Sequence, residues 1–220
     1  MTNLGMTSTE SASSPVGIMA RLREQTARHH QLAESRELEQ ALARGVLPRD
    51  RYVALLGQRW LIHRTLEARV ADLCRNDPRL NDVVPPNLMQ EPNLRADLSF
   101  FGVRPDEVPP LPATTRLIEL IDREAAHRAP ALLGCYYVFE GSKNGSRMLA
   151  PRVRKAYGID DGGTRYFDPH GRQQRALWTE FKARMDGIPF TQPERDGMVE
   201  AACTTFDLVA RLDDELISNK

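Results

Sequence analysis

Two glycines, four residues apart, interrupt a segment that otherwise has the composition of a helix. The segment runs from Tyr136 to Ser146, and the glycines are Gly141 and Gly145. A glycine in a helix interior costs about 1 kcal/mol relative to alanine. Because residues four apart share one helix face, the pair removes the side chains from a single strip of surface. The pattern predicts that this bare strip contacts either a flat macrocycle or a closely packed second helix.

A second segment, near the start of the chain, carries histidine and glutamate at helical spacing. His30 and Glu34 are four residues apart, so their side chains lie on one helix face. A carboxylate one turn away accepts one ring N–H and leaves the other ring nitrogen free to bind iron. The pair predicts a metal-ligating His30, or else an exposed ion pair. His29 has Gln25 and Ala33 at the same spacing, so we expect no carboxylate to orient its ring.

The remaining sequence predicts an all-α, single-domain helical bundle. From Val16 onward apolar residues recur at helical spacing, and no strand-like alternation exceeds a few residues. With 220 residues, of which 41% are hydrophobic, the chain is long enough for one core. We therefore expect a mobile leader at residues 1–15, rich in Ser and Thr, and one domain at residues 16–220.

Prolines and capping residues predict where individual helices begin and end. One helix starts at Pro48-Arg49-Asp50, and Thr114 or Thr115 caps another. The helix with the two glycines should begin at Pro130 and run to about residue 157, with a bend or interruption at Pro151. Further helices are expected at residues 94–101, 177–185 and 193–216.

Charge, hydropathy and cysteine content exclude several classes of partner. Lys plus Arg equals Asp plus Glu, at 30 each, so no net charge favours nucleic acid or a membrane surface. The N-terminus has no long apolar run, which indicates neither a signal peptide nor a membrane span. Cys74, Cys135 and Cys203 are far apart and lack metal-site spacing. Such cysteines are typical of reduced thiols, so we expect a cytoplasmic protein.

The two helical segments together resemble the haem oxygenase family, in its bacterial, biliverdin-producing branch. A first helix in that family carries Thr, the iron-binding His and Glu at steps of four residues, here Thr26, His30 and Glu34. Its distal helix reads close to Leu-Gly-x-x-Tyr-Val-x-Glu-Gly-Ser-x-x-Gly, and this chain has LGCYYVFEGSKNG at residues 133–145. Weaker similarities extend the resemblance over about residues 17–217.

The resemblance implies that haem, as both cofactor and substrate, lies between the first (proximal) helix and the glycine-containing distal helix. It implies oxidative cleavage of haem by O2 to biliverdin, carbon monoxide and ferrous iron, with electrons from a ferredoxin, flavodoxin or reductase. The implied catalytic residues are Gly141, Ser142, Asn144 and Gly145. The implied haem-binding residues are His30 as the iron ligand, Glu34 beside it, Arg23, Lys182 and Tyr136 near the propionates, and Phe206, which presses on the haem face or fills the core.

The distal segment departs from the family pattern at Lys143, Asn144 and Ser146. An amide at residue 144 lies close enough to Gly141 along the helix to donate a hydrogen bond to bound oxygen. Ser142 replaces the carboxylate of animal-type members, so it would have to support a water network. A non-catalytic haem carrier or sensor on the same fold is therefore an alternative function.

A di-metal carboxylate oxidase is a second, less favoured alternative. Such enzymes need Glu-x-x-His pairs on two helices of a bundle, together with further glutamates. Residues Glu124 to His127 have that spacing, and His63 with Glu67 adds a pair four residues apart. We expect Glu67 and His127 to be solvated or satisfied by hydrogen bonds instead.

Overall fold

The computed structural model describes residues 17–81, 83–160 and 162–218. Within these ranges the chain contains no strand and forms nine α-helices, which confirms the all-α prediction. The predicted leader, and Asp161 in the expected glycine-rich loop, lie outside the described residues. The helices are α1 (Ile18–Glu34), α2 (Glu37–Arg44), α3 (Arg49–Asn76), α4 (Glu91–Phe100), α5 (Pro112–His127), α6 (Leu132–Ser146), α7 (Ala150–Tyr157), α8 (Gln174–Asp186) and α9 (Gln192–Ser218).

The last helix, α9, occupies the centre of the bundle and packs against α1, α5 and α6. Its contact with α6 is very close at Gly134. A Cβ atom at that position would lie 2.0 Å from the carbonyl oxygen of Met198, a distance that no side chain tolerates. Glycine at 134 therefore lets the two backbones touch, and this contact fixes the position of α6 relative to α9.

The longest helix, α3, buries polar as well as apolar side chains. One of them is Gln58, whose amide donates to the carbonyl of Pro109 (3.0 Å) and accepts from the N–H of Leu111 (2.9 Å). These bonds satisfy backbone groups of the loop that precedes α5. Arg59, His63 and Glu67 are also buried on α3.

The predicted threonine cap of α5 is wrong. The helix begins at Pro112, and Thr114 lies buried inside its first turn. Proline is favoured at the first helical position because the N–H it lacks would have no partner there. The next free N–H, that of Ala113, donates to the carboxylate of Glu215 on α9, at 3.0 and 3.1 Å. A side chain from another helix thus takes the capping role.

The helix with the two glycines, α6, begins and ends differently from the prediction. Pro130 lies in a preceding 3-10 turn, and α6 starts at Leu132. An interruption is present as expected, but it falls at residues 147–149, ahead of Pro151. The ring of a proline clashes with the carbonyl four residues earlier, which here belongs to Arg147. The break therefore precedes Pro151, which lies in the first turn of α7.

None of the helices in the described part of the chain is both long enough and apolar enough to span a bilayer.

The predicted thiol state of the cysteines agrees with the structure. Cys74, Cys135 and Cys203 are all free, and the first two are buried. Burial raises the pKa of the Cys135 thiol to about 11, as expected for an inert residue that fills space in the core.

Candidate haem site

A cavity of about 510 Å³ lies between α6 and the helices α1, α2 and α9. Residues from α3 and from the segment before α8 complete its wall, among them Leu55, Tyr166 and Phe167. A smaller cavity of about 300 Å³ adjoins it beside α8, where Trp178 forms part of the wall. The residues common to both cavities are His30, Val138, Gly141, Ser142, Asn144 and Phe206.

The bare strip of α6 faces this cavity rather than another helix. Among the described residues outside the nearby backbone of α6, a Cβ atom at Gly145 would meet no atom within 4 Å, and one at Gly141 would meet only the Trp178 ring, at 3.4 Å. The alternative of a closely packed second helix is therefore contradicted at these two positions. A flat ligand fits against the strip, because side chains there would occupy the space that the glycines leave open.

His30 forms part of the opposite wall. Its imidazole lines both cavities and is half exposed, and its Nε2 lies 3.5 Å from Oε1 of Glu34. The ring meets Phe206 of α9 edge to face, with 5.4 Å between the ring centroids. The structure thus brings together His30, Glu34 and Phe206, three of the predicted haem-binding residues.

The neighbouring His29 has a partner that the sequence argument missed. Its Nδ1 lies 2.7 Å from a carboxylate oxygen of Asp207 on α9. The expectation that no carboxylate orients this ring is wrong, because it considered only positions on the same helix. His29 lines neither cavity, whereas His30 lines both. The position of the cavities, rather than the spacing of carboxylates along α1, therefore favours His30 as the candidate ligand.

The three residues expected near the propionates are placed differently from one another. Arg23 is exposed on α1 and lines the smaller cavity. Lys182 lines neither cavity, but its Nζ lies 6.0 Å from the centroid of Trp178, whose ring forms part of that wall. The two cations are thus positioned at or beside the same cavity.

The structure contradicts the expectation that Tyr136 reaches the edge of the site. Its side chain is buried on another face of α6, where its hydroxyl donates to the carbonyl of Leu88 at 3.1 Å. Tyr137 lines the smaller cavity instead. Tyr137 lies four residues before Gly141 and eight before Gly145, so helical spacing alone places it on the bare strip. The spacing of Tyr137 from the two glycines is the sequence signal that identifies it.

Two of the polar side chains that α6 presents to the cavity, Ser142 and Asn144, are bonded to their own helix. Ser142 donates its hydroxyl to the carbonyl of Phe139 (2.8 Å), and Asn144 donates an amide N–H to the carbonyl of Gly141 (3.1 Å). Both still line the two cavities. They retain acceptor lone pairs, and Asn144 retains a second N–H, for a ligand or water.

Ser146 and Lys143, the other two departures from the family pattern, lie on different sides of α6. Ser146 lines the larger cavity, and its hydroxyl donates to the carbonyl of Phe167 at 3.1 Å. Lys143 points away from the cavity and is buried, with its Nζ 2.5 Å from Glu140 and 3.1 Å from the carbonyl of Leu88. Burial lowers the pKa of Lys143, although Glu140 opposes that shift. Lys143 therefore affects packing behind the site.

A chain of three buried side chains extends from the cavity wall into the core. The hydroxyl of Tyr166 lies 3.2 Å from Nε2 of His63, and Nδ1 of His63 lies 2.9 Å from Glu67. Burial lowers the pKa of His63, which favours the neutral imidazole. Burial also acts to raise the pKa of Glu67, but its hydrogen bonds to His63 and to two backbone N–H groups lower it overall.

The residues of the di-metal alternative are not gathered into one site. Glu67 is satisfied by hydrogen bonds, as expected, and also accepts from the backbone N–H groups of Gln90 and Glu91. Glu124 pairs with Arg128 at 2.8 Å, and His127 is exposed. Within the described residues, no three His, Cys, Asp or Glu side chains are arranged to hold a metal ion.

Sequence reasoning missed a charged cluster in the wall of the larger cavity. Glu39 of α2, Arg59 of α3 and Asp213 of α9 all line it, and Arg59 lies 4.0 Å from Asp213. Asp213 follows Phe206 and Val209 at helical spacing, so a polar residue on the inner face of α9 was the available signal. Burial raises the pKa values of both carboxyl groups, that of Asp213 strongly.

Comparison with known proteins identifies the family to which the chain belongs. Residues 17–214 match the family described as Heme oxygenase. Heme oxygenase 1 of the cyanobacterium Synechocystis is 24% identical over 209 residues, which cover 93% of this chain and 86% of that protein. Human heme oxygenase 1 is 26% identical over 212 residues, covering 93% and 73%. The chain therefore belongs to the haem oxygenase family, a family of haem-degrading enzymes.

Solved structures share the fold. The crystal structure of Synechocystis heme oxygenase-1 in complex with heme superposes with a TM-score of 0.85 at 24% identity, covering 93% of this chain and 94% of that one. The structure of heme oxygenase from Leptospira interrogans gives a TM-score of 0.82 at 21% identity, covering 91% and 100%. The predicted helical bundle of the haem oxygenase type is thereby confirmed.

Proposed function

We propose that this chain cleaves haem oxidatively to biliverdin, carbon monoxide and ferrous iron, using O2 and electrons from an external donor. The observation that carries the proposal is the cavity in which a side-chain-free strip of α6 faces the imidazole of His30. A strip of backbone opposite a histidine suits a flat macrocycle with iron at its centre. Membership of the haem oxygenase family supports the same substrate.

Under this proposal His30 binds the haem iron and Glu34 orients its ring. Phe206 packs against the imidazole edge, which limits rotation of the ring. Arg23 and Lys182 attract the propionates from beside the smaller cavity, where Tyr137 takes the role first expected of Tyr136. Bound haem supplies the iron that activates dioxygen for attack on the macrocycle.

The other cavity residues shape the space in which that attack occurs. Gly141 and Gly145 allow the backbone to approach the macrocycle and leave little room beside it. The apolar Val138, Phe139 and Phe167 exclude bulk water from the inner end. Ser142 and Asn144 offer acceptor and donor groups to water or to bound oxygen at the strip itself.

The cellular setting is part of the proposal. The even balance of acidic and basic residues and the free cysteines support a cytoplasmic enzyme. Its partners would be haem, O2 and a ferredoxin, flavodoxin or reductase that delivers the electrons, as the family resemblance implies. Neither nucleic acid nor a membrane is expected to bind.

The direct test is to load the purified protein with hemin, add a reductant in air with catalase present, and follow the visible spectrum. Loss of the Soret band with growth of a biliverdin spectrum is the expected result. A persistent oxy or ferrous haem spectrum would instead favour a carrier or sensor, the alternative that the amide of Asn144 in the cavity supports. Failure to take up haem would contradict both functions.

The role of His30 has its own test. We expect His30→Ala to lose the wild-type Soret position and to weaken hemin binding by about 10-fold or more, because a metal–imidazole bond is lost. His29→Ala is the matched control. It removes an exposed bond to Asp207 and should leave the haem spectrum unchanged. A wild-type spectrum in His30→Ala would defeat the assignment.

A further inference from the structure

Asp213 is a buried acid whose carboxylate oxygens both lack a hydrogen-bond partner among the described residues. Its side chain is fully buried, yet it lines the larger cavity. A buried polar group without a partner is costly, so such a group normally indicates a missing water or ligand. The open side of Asp213 is the cavity, which is where that missing partner belongs.

Burial favours the neutral form of Asp213, and the charged groups around it partly cancel one another. Glu39 of α2 and Asp214 of α9 are acidic neighbours, and Arg59 of α3 and Arg36 before α2 are basic ones. Burial is the largest effect and raises the pKa of Asp213 well above that of an exposed carboxyl. Arg59, at 4.0 Å, opposes the shift only in part and would stabilise the carboxylate left after proton release.

The side chains closer to the glycine strip cannot take this role. The hydroxyl protons of Ser142 and Ser146 are donated to backbone carbonyls, and neither a serine hydroxyl nor the amide of Asn144 is acidic at neutral pH. The Tyr166 hydroxyl contacts His63, and its pKa is raised to about 12 by burial. Asp213 is the fully buried carboxyl in the cavity wall, whereas Glu34 is largely exposed.

We propose that Asp213, paired with Arg59, is the acid that supplies protons to the cavity during haem cleavage. This inference rests on the function proposed above. Electrons delivered to dioxygen by the external donor must be matched by protons as water forms. The O–H bond of Asp213 breaks, the proton passes through cavity water to the dioxygen being reduced, and Arg59 stabilises the carboxylate. Glu39, which is partly buried in the same cavity wall and interacts electrostatically with both Arg59 and Asp213, returns a proton to Asp213.

The test compares Asp213→Asn with Asp214→Asn. The first variant replaces a neutral acid by an amide of the same shape, and the second changes an adjacent, half-exposed carboxylate that pairs with Arg36. We expect Asp213→Asn to lose one component of the infrared carbonyl absorption of protonated carboxylic acids, a component that wild type and Asp214→Asn both keep. This readout needs no haem, so it reports on the acid independently of turnover.

With haem bound, Asp213→Asn should keep the wild-type Soret band but form biliverdin about 100-fold more slowly, within the range that a general acid contributes. Asp214→Asn should match wild type in its Soret band and in its rate of biliverdin formation. An infrared carbonyl absorption in Asp213→Asn identical to that of wild type, or an unchanged rate of biliverdin formation in that variant, would each overturn the proposal. Wild-type protein that binds haem without cleaving it would instead refute the proposed function, whatever the infrared result.

Discussion

At Gly145 the absence of a side chain determines what the cavity can hold. A Cβ there would meet no atom of another described residue within 4 Å, so packing in this part of the chain does not require the glycine. A glycine that the fold does not need, in a helix where it costs about 1 kcal/mol, indicates a requirement imposed by the ligand. A larger residue at position 145 should therefore stabilise the fold and weaken the binding of haem.

We predict that Gly145→Leu raises the free energy of unfolding by about 0.5–1 kcal/mol, because leucine is a better helix former and has room. The same variant should weaken hemin binding by about 10-fold or more, since its side chain fills the bare strip. Gly145→Ala, the smaller substitution, should give the same gain in stability with a smaller loss of binding. Urea unfolding and hemin titration measure the two effects, and undiminished binding in Gly145→Leu would contradict the prediction.

Individual site residues were predictable only where their chemistry was local in sequence. His30 with Glu34, and Gly141 with Gly145, were found because each pair is one helical turn apart. The pairing of His29 with Asp207 and of Arg59 with Asp213 joins residues on different helices. No spacing rule within one helix reveals such pairs, because they depend on how the helices pack.

The helix α6 packs against α9 with one face and lines the cavity with another. Gly134 lets it touch α9, and the later glycines keep its cavity face bare. Because the contact at Gly134 sets the distance between α6 and α9, and α9 carries Phe206 and Asp213, it also sets the width of the cavity between them.

We expect Gly134→Ala to lower the free energy of unfolding by about 1–3 kcal/mol, the usual cost of overpacking a close contact. Its Cβ would lie 2.0 Å from a backbone carbonyl oxygen, which cannot move without displacing α9. Gly145→Ala makes the same chemical change on the same helix and should stabilise. Equal effects of the two substitutions in denaturant unfolding would show that the α6–α9 contact is not rigid.

Most helices were predicted to within a few residues, because apolar periodicity and prolines act locally. The helix expected at residues 193–216 is observed at Gln192–Ser218, and that expected at 177–185 at Gln174–Asp186. The cap of α5 was not predictable in this way. Its N-terminal N–H is satisfied by Glu215, a residue 102 positions away on α9.

Across the whole molecule, the buried polar groups on α3 link stability to pH. The pKa of His63 is lowered in the folded protein, so below its ordinary value of 6.5 the unfolded chain binds a proton that the folded chain does not. Stability is therefore lost as the pH falls from about 6.5 through the folded pKa of His63. The lowered pKa of Glu67 acts in the same direction at more acidic pH.

We predict that His63→Gln reduces the difference in unfolding free energy between about pH 7 and about pH 5.5, because the proton uptake at this residue is removed. Glutamine retains an amide N–H to offer Glu67. His127→Gln, at an exposed position, is the control and should keep the wild-type pH dependence. Denaturant titrations at the two pH values measure this difference in unfolding free energy. If the difference in His63→Gln equals that of wild type, His63 is not the residue that links stability to pH.

The order in which the helices follow one another along the sequence also has a consequence for biosynthesis. His30 lies on the first helix, whereas Phe206 and Asp213 lie on the last, and α9 is the element against which α1 and α6 pack. A nascent chain on the ribosome therefore has His30, the iron ligand that we propose, long before it has the wall that encloses it. Haem captured during translation would meet an open groove, so productive loading has to wait until α9 has been released and has docked.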